Sequence, residues 1–281
     1  MAIVGSSVVV GKLALARFPV FLLSGLRFAV AALILVPLVL LAEGGVPHLV
    51  RRELGVLALQ AFTGIFVFNV LLLHGLTLTS AAESGIVTST APAVAGVLAV
   101  LFLRERLTRG VGAGLALAVA GLVIMNVLGA GESTQRGSSP LLGDGLVFGA
   151  VVGEGLFIVC SRILAQRLAP VVVATGITLL GLLMFAPFAL WEARGFDFGA
   201  ATAGDWMAVA YYGVAVTVVA FLLWARGVGR VPASKAAVFT GVLPVSAVTL
   251  SWLVLGEPIL AAHLVGGACV IGAIVLASRR G

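Results

Sequence analysis

The stretch AAESGIVTSTAPAVAGVLAVLFLRERL, residues 81–107, recurs 152 positions later as ASKAAVFTGVLPVSAVTLSWLVLGEPI, residues 233–259. Pro92 falls on Pro244 and Glu105 falls on Glu257. Upstream, Gly75 falls on Gly227 and Ala81 on Ala233. Two prolines at the same distance from two glutamates, in register with Gly and Ala, mark a duplication. The conspicuous charge near the start differs between the copies: Glu83 in the first, Lys235 in the second. Both prolines fall mid-helix, where each removes a backbone hydrogen bond and kinks its span. A kinked, duplicated helix rich in small residues reads as a gate.

A membrane span needs about 20 mostly apolar residues. Ten such runs lie between charged or turn-rich breaks, at 2–16, 20–42, 54–77, 80–103, 110–129, 143–167, 170–192, 205–228, 233–255 and 260–278. Short breaks make neighbouring helices antiparallel. The Gly/Ser-rich break AGESTQRGSSP, residues 130–140, separates two halves of five spans. The expected units are therefore 1–129, a periplasmic linker over 130–142, and 143–281. An odd number of spans per half sends the second half in from the opposite side. The expected fold is all-α integral membrane, ten transmembrane helices as two inverted five-helix repeats. Secondary transporters use this arrangement, with sites near the midplane between the repeats.

Composition agrees with a membrane chain. The sequence is 61% hydrophobic and 10% charged, against about 45–50% and about 25% in soluble domains. The formal charge of +6 is the Lys/Arg excess expected of cytoplasmic loops. Nucleic acid is therefore not an expected partner. Arg51, Arg52, Arg104, Arg106, Arg109, Arg162, Arg167, Arg226, Arg230, Arg279 and Arg280 fall on one side and only Arg17, Arg136 and Arg194 on the other. This bias places both termini in the cytoplasm. Cys160 and Cys269 lie in apolar runs and read as buried hydrophobes. The first residues carry no basic n-region or cleavage site, so no secretory signal is expected.

The ordered pieces GSSVVVGKLAL (5–15), SGLRFAVAALIL (24–35), HGLTLTSAAESGIV (74–87), APAVAGVLAVLFLRERLT (91–108) and GAGLALAVAGLVIMN (112–126) extend this pattern through the first half. GLFIVCSRIL (155–164), FLLWARGVGRVPASKAAVF (221–239), LPVSAVTLSWLVLGEPI (243–259) and LVGGACVIGAIVLAS (264–278) do so in the second. Together they resemble the EamA-type carriers of the drug/metabolite transporter superfamily. The resemblance covers nearly the whole chain. It implies a central cavity lined mainly by spans one, three, four, six, eight and nine. It also implies peripheral spans five and ten, which are candidates for homodimer contacts. Where the family usually has Trp this chain has Val4, and it has Glu154 where Trp is frequent. The resemblance points to amino acids and related metabolites as cargo.

Ionisable groups inside spans are costly and normally face a bundle interior or a wet cavity. Glu154, within GAVVGEGLFIV, is the deepest acid, with Gly149, Gly153 and Gly155 leaving room beside it. It reads as a proton carrier or an amine-binding carboxylate, against the alternative of an acid paired to a neighbouring helix. Glu83 and Lys235 start spans four and nine at opposite mouths and read as gate charges, or as interfacial helix-end charges. Ser7, Asn69, His74, Thr90, Phe157, Tyr212, Phe221 and Phe239 complete the candidate cavity residues. A lone His near a helix end is more often a structural hydrogen-bonding group, and aromatic stripes are more often packing than ligand contacts. Lys12 and Arg27 read as structural, with Arg27 needing a partner or a path to the interface. Glu105 and Glu257 read as helix-end architecture.

The chain has no Walker-type loop, metal-ligand cluster or Ser-His-Asp arrangement. No enzyme activity, metal or cofactor is expected, and transport must run on a gradient or exchange. The expected function is a secondary carrier exporting small metabolites by alternating access, foremost aromatic or bulky neutral amino acids. Its partners are a small-molecule substrate and the lipid bilayer, with the proton as a candidate coupling ion. The alternative cargo is a lipophilic cation or drug held by Glu154 or Glu83. A membrane-embedded enzyme or scaffold would need a reactive constellation or a large loop surface. The expected location is the bacterial cytoplasmic membrane, with multiple passes.

Overall fold

The computed structural model of the chain describes residues 1–79, 81–128, 139–256 and 259–278. Expectations for the linker over 130–138, Arg136, Glu257, Arg279, Arg280 and the side chain of Lys12 lie outside the described residues.

Among the described residues the regular structure is all helical, joined by short turns and loops. Nine helices among these residues are long and apolar enough to cross a membrane, with mean hydropathies from 1.6 to 2.4. We number them in chain order after a shorter helix, α1 (Ala2–Leu15). They are α2 (Val20–Glu43), α3 (Arg51–Leu78), α4 (Glu83–Leu103), α5 (Arg109–Asn126) and α6 (Pro140–Ala165). The rest are α7 (Pro170–Ala193), α8 (Ala203–Val228), α9 (Ala233–Val254) and α10 (Ala261–Ser278). Helices dominate because a segment in lipid must satisfy every backbone group internally. The first expected span corresponds to α1, which at 14 residues is shorter than the others. The outer faces remain apolar: Leu33 is 77% exposed and Leu183 is 70% exposed. In water such faces would drive aggregation; in a bilayer they meet acyl chains. The chain is a multi-pass integral membrane protein.

The helices pair in a definite pattern. α5 lies along α10, α2 along α7 and α4 along α9. α1 packs on α9 while α6 packs on α4; α3 packs on α6 while α8 packs on α1. Small residues permit the closest approach. A Cβ on Gly121 of α5 would lie 2.7 Å from the Gly266 carbonyl oxygen of α10. This is the small-residue contact that lipid-embedded helices use in place of hydrophobic exclusion.

Two helix breaks and two π-helical stretches shape the bundle interior. The first copy of the repeated stretch breaks into Ala81–Ser89 and Ala91–Leu103, around Thr90. The second copy breaks into Ala233–Thr240 and Val242–Leu255, around Gly241. Each break lies within three residues of the proline, Pro92 or Pro244, whose missing N–H the helix cannot replace. α3 carries a π-helical stretch, Phe62–Val67, and α8 carries another, Tyr212–Val219. The two stretches are equivalent under the repeat, and each rotates the helix beyond it relative to a regular α-helix.

Candidate functional site

A cavity of about 660 Å³ lies between the two halves. It is bounded by α1, α2, α3, α6, α8 and α9. α4 contributes no lining residue, unlike the family expectation, because it packs behind α6 and α9. A Cβ on Gly155 of α6 would lie 2.7 Å from Leu98 Cδ1 of α4, so that interface is closed. α2 takes a place instead, through Arg27.

Most of the lining is apolar or aromatic. Phe157 and Phe221 face it with Phe68, Trp224 and Phe239. The polar side chains are few: Ser7, Asn69, Thr240, Arg27 and Glu154. Asn69 Nδ2 donates to the Ile65 carbonyl at 2.6 Å, one turn back on its own helix. Ser7 Oγ donates to the Val4 carbonyl at 2.6 Å. These two polar groups are largely spent on their own helices.

Arg27 and Glu154 differ from them. Neither has a hydrogen bond or ion pair among the described residues. Arg27 Nε is buried without a partner. The guanidinium carbon stands 4.5 Å from the Phe28 ring centroid and 5.8 Å from that of Tyr212. The aromatic faces support the cation electrostatically and leave its donors unbound. Tyr212 is fixed behind it, with its hydroxyl donating to the Ser7 carbonyl at 2.6 Å.

The structure brings Ser7, Asn69, Glu154, Phe157, Phe221 and Phe239 to one cavity. Tyr212 backs Arg27 and is not among the lining residues. His74 is exposed, and its Nδ1 lies 2.8 Å from the Val70 carbonyl of its own helix. Thr90 Oγ1 donates to the Val87 carbonyl at 2.6 Å, at the break in α4. Glu83 sits at the start of α4, with Thr79 Oγ1 3.0 Å from its Oε2 and 2.6 Å from Asp144 Oδ1. A single hydroxyl proton serves only one of these carboxylates at a time. Lys235 is half-buried on α9, one turn before Phe239, and is outside the lining. Neither Glu83 nor Lys235 therefore shares the cavity with Glu154.

The glycines beside Glu154 serve packing. A Cβ on Gly153 would lie 2.6 Å from the Thr63 carbonyl oxygen, and one on Gly149 would lie 3.0 Å from Leu71. They admit α3, not a ligand. On one side of the cavity, Ser161 of α6 accepts from Gln60 Nε2 at 2.6 Å and from Trp224 Nε1 at 3.0 Å. One hydroxyl oxygen thus ties α3, α6 and α8 together and orients a lining Trp. Arg27 and Ser161 were not among the candidate cavity residues. Arg27 carried a signal in its cost inside a span; Ser161 carried none.

The chain matches the family model described as the EamA-like transporter family over residues 1–127 and 141–279. It is 47% identical to the uncharacterized transporter YetK of Bacillus subtilis, over 98% of this chain and 83% of that one. It is 28% identical to a probable terminal-alkyne amino-acid exporter of Streptantibioticus cattleyicolor, over 82% of this chain and 74% of that one. A crystal structure of a protein 22% identical in sequence superposes with a TM-score of 0.81, covering 99% of this chain and 95% of that one. At that identity the likeness speaks to the fold alone.

Proposed function

As the chain belongs to the EamA-like transporter family, and is thus a transporter and not an enzyme, we propose that it exports amino acids with aromatic or bulky neutral side chains. It works by alternating access as a secondary carrier in the bacterial cytoplasmic membrane. The observation that carries this reading is the cavity between the halves. Its volume of about 660 Å³ falls in the usual range for small-molecule sites, about 300–1,000 Å³. Its aromatic walls suit an apolar side chain, and its few polar groups suit one small polar head. The similarity to a probable amino-acid exporter supports the same class.

Two inverted five-helix repeats supply the alternation in this reading, with both termini cytoplasmic. Three observations support it: the family model matches once in each half, both repeat copies break near their prolines, and the helix pairings interchange when each helix is replaced by its repeat equivalent. Swapping the packing of the halves would then move access from one face to the other. Pro92 and Pro244 would act as paired hinges, with Glu83 and Lys235 at the two mouths.

The test is counterflow of labelled L-phenylalanine into proteoliposomes loaded with the unlabelled amino acid, without ATP. Accumulation of label above the empty-vesicle control is expected. If no amino acid moves, while an aromatic cation does and its flux is lost in Glu154→Gln, the cargo is a lipophilic cation instead.

A further inference from the structure

Of the described side chains that line the cavity, Arg27 and Glu154 alone carry charge; the Met1 α-amino group also borders it. They do not satisfy each other, since no nitrogen–oxygen pair between them comes within ion-pair distance. Each also lacks any other hydrogen-bond partner among the described residues. Leaving one ionised group unpaired in a low-dielectric bundle is costly. Leaving two of opposite sign in the same cavity is economical only if something completes both.

We infer that Arg27 and Glu154 are the two poles of a zwitterion site. Arg27 takes the carboxylate of an α-amino acid through its free donors, and Glu154 takes the ammonium. The side chain then lies among Phe157, Phe221 and Phe239. The assignment deepens the amino-acid reading above and rests on it.

The chemistry supports each element. A guanidinium presents a planar fork of donors that matches a carboxylate. Its ring contacts with Phe28 and Tyr212 restrain the guanidinium beforehand, so less freedom is lost on binding. An ammonium needs an acceptor, and a carboxylate with no protein donor is a strong one. The pair also discriminates. A simple amine is attracted by Glu154 but leaves Arg27 unanswered; a simple acid does the reverse. Only a ligand with both charges completes both poles, which is specificity by penalty as well as by attraction. Arg27 thereby becomes a specificity residue, in place of the structural role its sequence position implied.

Three probes with one side chain separate the poles: L-phenylalanine, phenethylamine and 3-phenylpropionate. Binding to the purified full chain is measured by fluorescence titration, with counterflow of labelled L-phenylalanine alongside. The wild type is expected to bind L-phenylalanine at least tenfold more tightly than either analogue. Arg27→Gln should lose at least tenfold for L-phenylalanine and keep phenethylamine unchanged, which also reports a folded site. Glu154→Gln should lose L-phenylalanine and phenethylamine and keep or improve 3-phenylpropionate. Arg27→Lys should recover part of the phenylalanine affinity. If wild type exchanges L-phenylalanine but Arg27→Gln binds it equally well, the zwitterion assignment falls and the amino-acid reading stands. If Arg27→Gln loses phenethylamine to the same extent, Arg27 is structural and the assignment also falls. If wild type neither binds nor exchanges L-phenylalanine or any other amino acid, the amino-acid reading falls and takes the assignment with it.

Discussion

The carboxylate of Glu105, just beyond the end of α4, caps the start of α9 at Ser234. Its Oε2 accepts from the Ser234 backbone N–H at 3.0 Å and from Ser234 Oγ at 2.7 Å, while Oε1 accepts from the Ala233 N–H at 2.7 Å. The two neighbouring arginines, Arg104 and Arg106, are exposed and make no such contact. Glu105 thus joins one half of the protein to the other, at the first turn of the second repeat copy. A helix start presents unpaired N–H groups and a positive dipole end, and an anion there is stabilising.

Glu105→Gln keeps the shape and removes the charge. Hydrogen bonds to a charged group are worth about 1.5–3 kcal/mol each in net terms. The substitution should therefore lower the thermal unfolding midpoint in detergent, and Glu105→Ala should lower it further. Ser234→Ala removes only one of the three bonds and should cost less than either. An unchanged midpoint for Glu105→Ala would mean the clamp contributes nothing to holding α4 on α9.

Arg104 has a positive φ of 53°, and its repeat equivalent Gly256 has 68°. Both end their helices in the left-handed region, but only glycine does so without a Cβ penalty. The left-handed conformation costs other L-residues about 1–2 kcal/mol. Arg104→Gly should therefore raise the unfolding midpoint, by less than the full penalty because glycine also loosens the unfolded chain. Gly256→Ala should lower it. The same comparison in one chain, with opposite signs at two equivalent positions, separates backbone strain from any effect of losing a surface charge.

Ser161 is 1% exposed and accepts from two donors, Gln60 Nε2 and Trp224 Nε1. Ser161→Ala leaves the buried Gln60 amide without its acceptor and the partly exposed Trp224 indole N–H without its bond. A buried unsatisfied group costs about 1–3 kcal/mol, so the substitution should destabilise well beyond the loss of one small side chain. Trp224 lines the cavity, so its fluorescence should shift as the indole loses its bond. Ser161→Thr retains the hydroxyl and should preserve the emission if the added methyl is accommodated.

Much of the architecture was legible because Pro, Gly and Glu recur at one spacing in residues 81–107 and 233–259. Apolar runs also have few ways to lie in lipid. The cavity was only partly legible. Asn69, Glu154 and Phe221 stood out as polar or repeat-related positions on inner helices, and the structure gathers them. Arg27 was harder to place because α2 is apolar all round, so the pattern carries no phase to tell a cavity face from a lipid face. Tyr212 reads in the sequence as an aromatic on a cavity-side span, yet it begins a π-helical stretch that rotates the register. Glu105 read as a helix-end residue; that the end belongs to α9 depends on a contact 128 positions away in sequence. No local pattern encodes such a contact.

The α5–α10 contact should be intolerant of any side chain at its centre. A Cβ at Gly121 would approach the Gly266 carbonyl oxygen to 2.7 Å and Cys269 Cβ to 2.8 Å. Overpacking typically costs about 1–3 kcal/mol. Gly121→Ala should lower the unfolding midpoint, whereas Gly145→Ala on α6, with nothing within 4 Å of the new Cβ, should leave it unchanged or raise it. Equal effects from both would mean that helix propensity, and not helix contact, decides the outcome.

Proton coupling can arise at Glu154 without a separate relay. A carboxylate that holds an ammonium cannot hold a proton at the same time, so substrate and proton compete for one group. Binding needs the ionised form, so affinity for L-phenylalanine should fall as the pH is lowered through the carboxyl's titration. With one linked proton the limiting slope is about tenfold per pH unit. Of the other lining groups, Ser7, Asn69 and Thr240 do not titrate, and the Met1 α-amino group, which also borders the cavity, gains charge on acidification and so favours the ligand carboxylate, the opposite sign. The loss of affinity on acidification should therefore disappear in Glu154→Gln, measured with 3-phenylpropionate as well so that weakened phenylalanine binding does not obscure it. In proteoliposomes, an inward-directed proton gradient set against the substrate should drive wild-type efflux and leave the Glu154→Gln exchange rate unaltered. A pH-driven flux that survives in Glu154→Gln, and is lost instead in Glu83→Gln, would move the coupling group from the cavity to the mouth of α4.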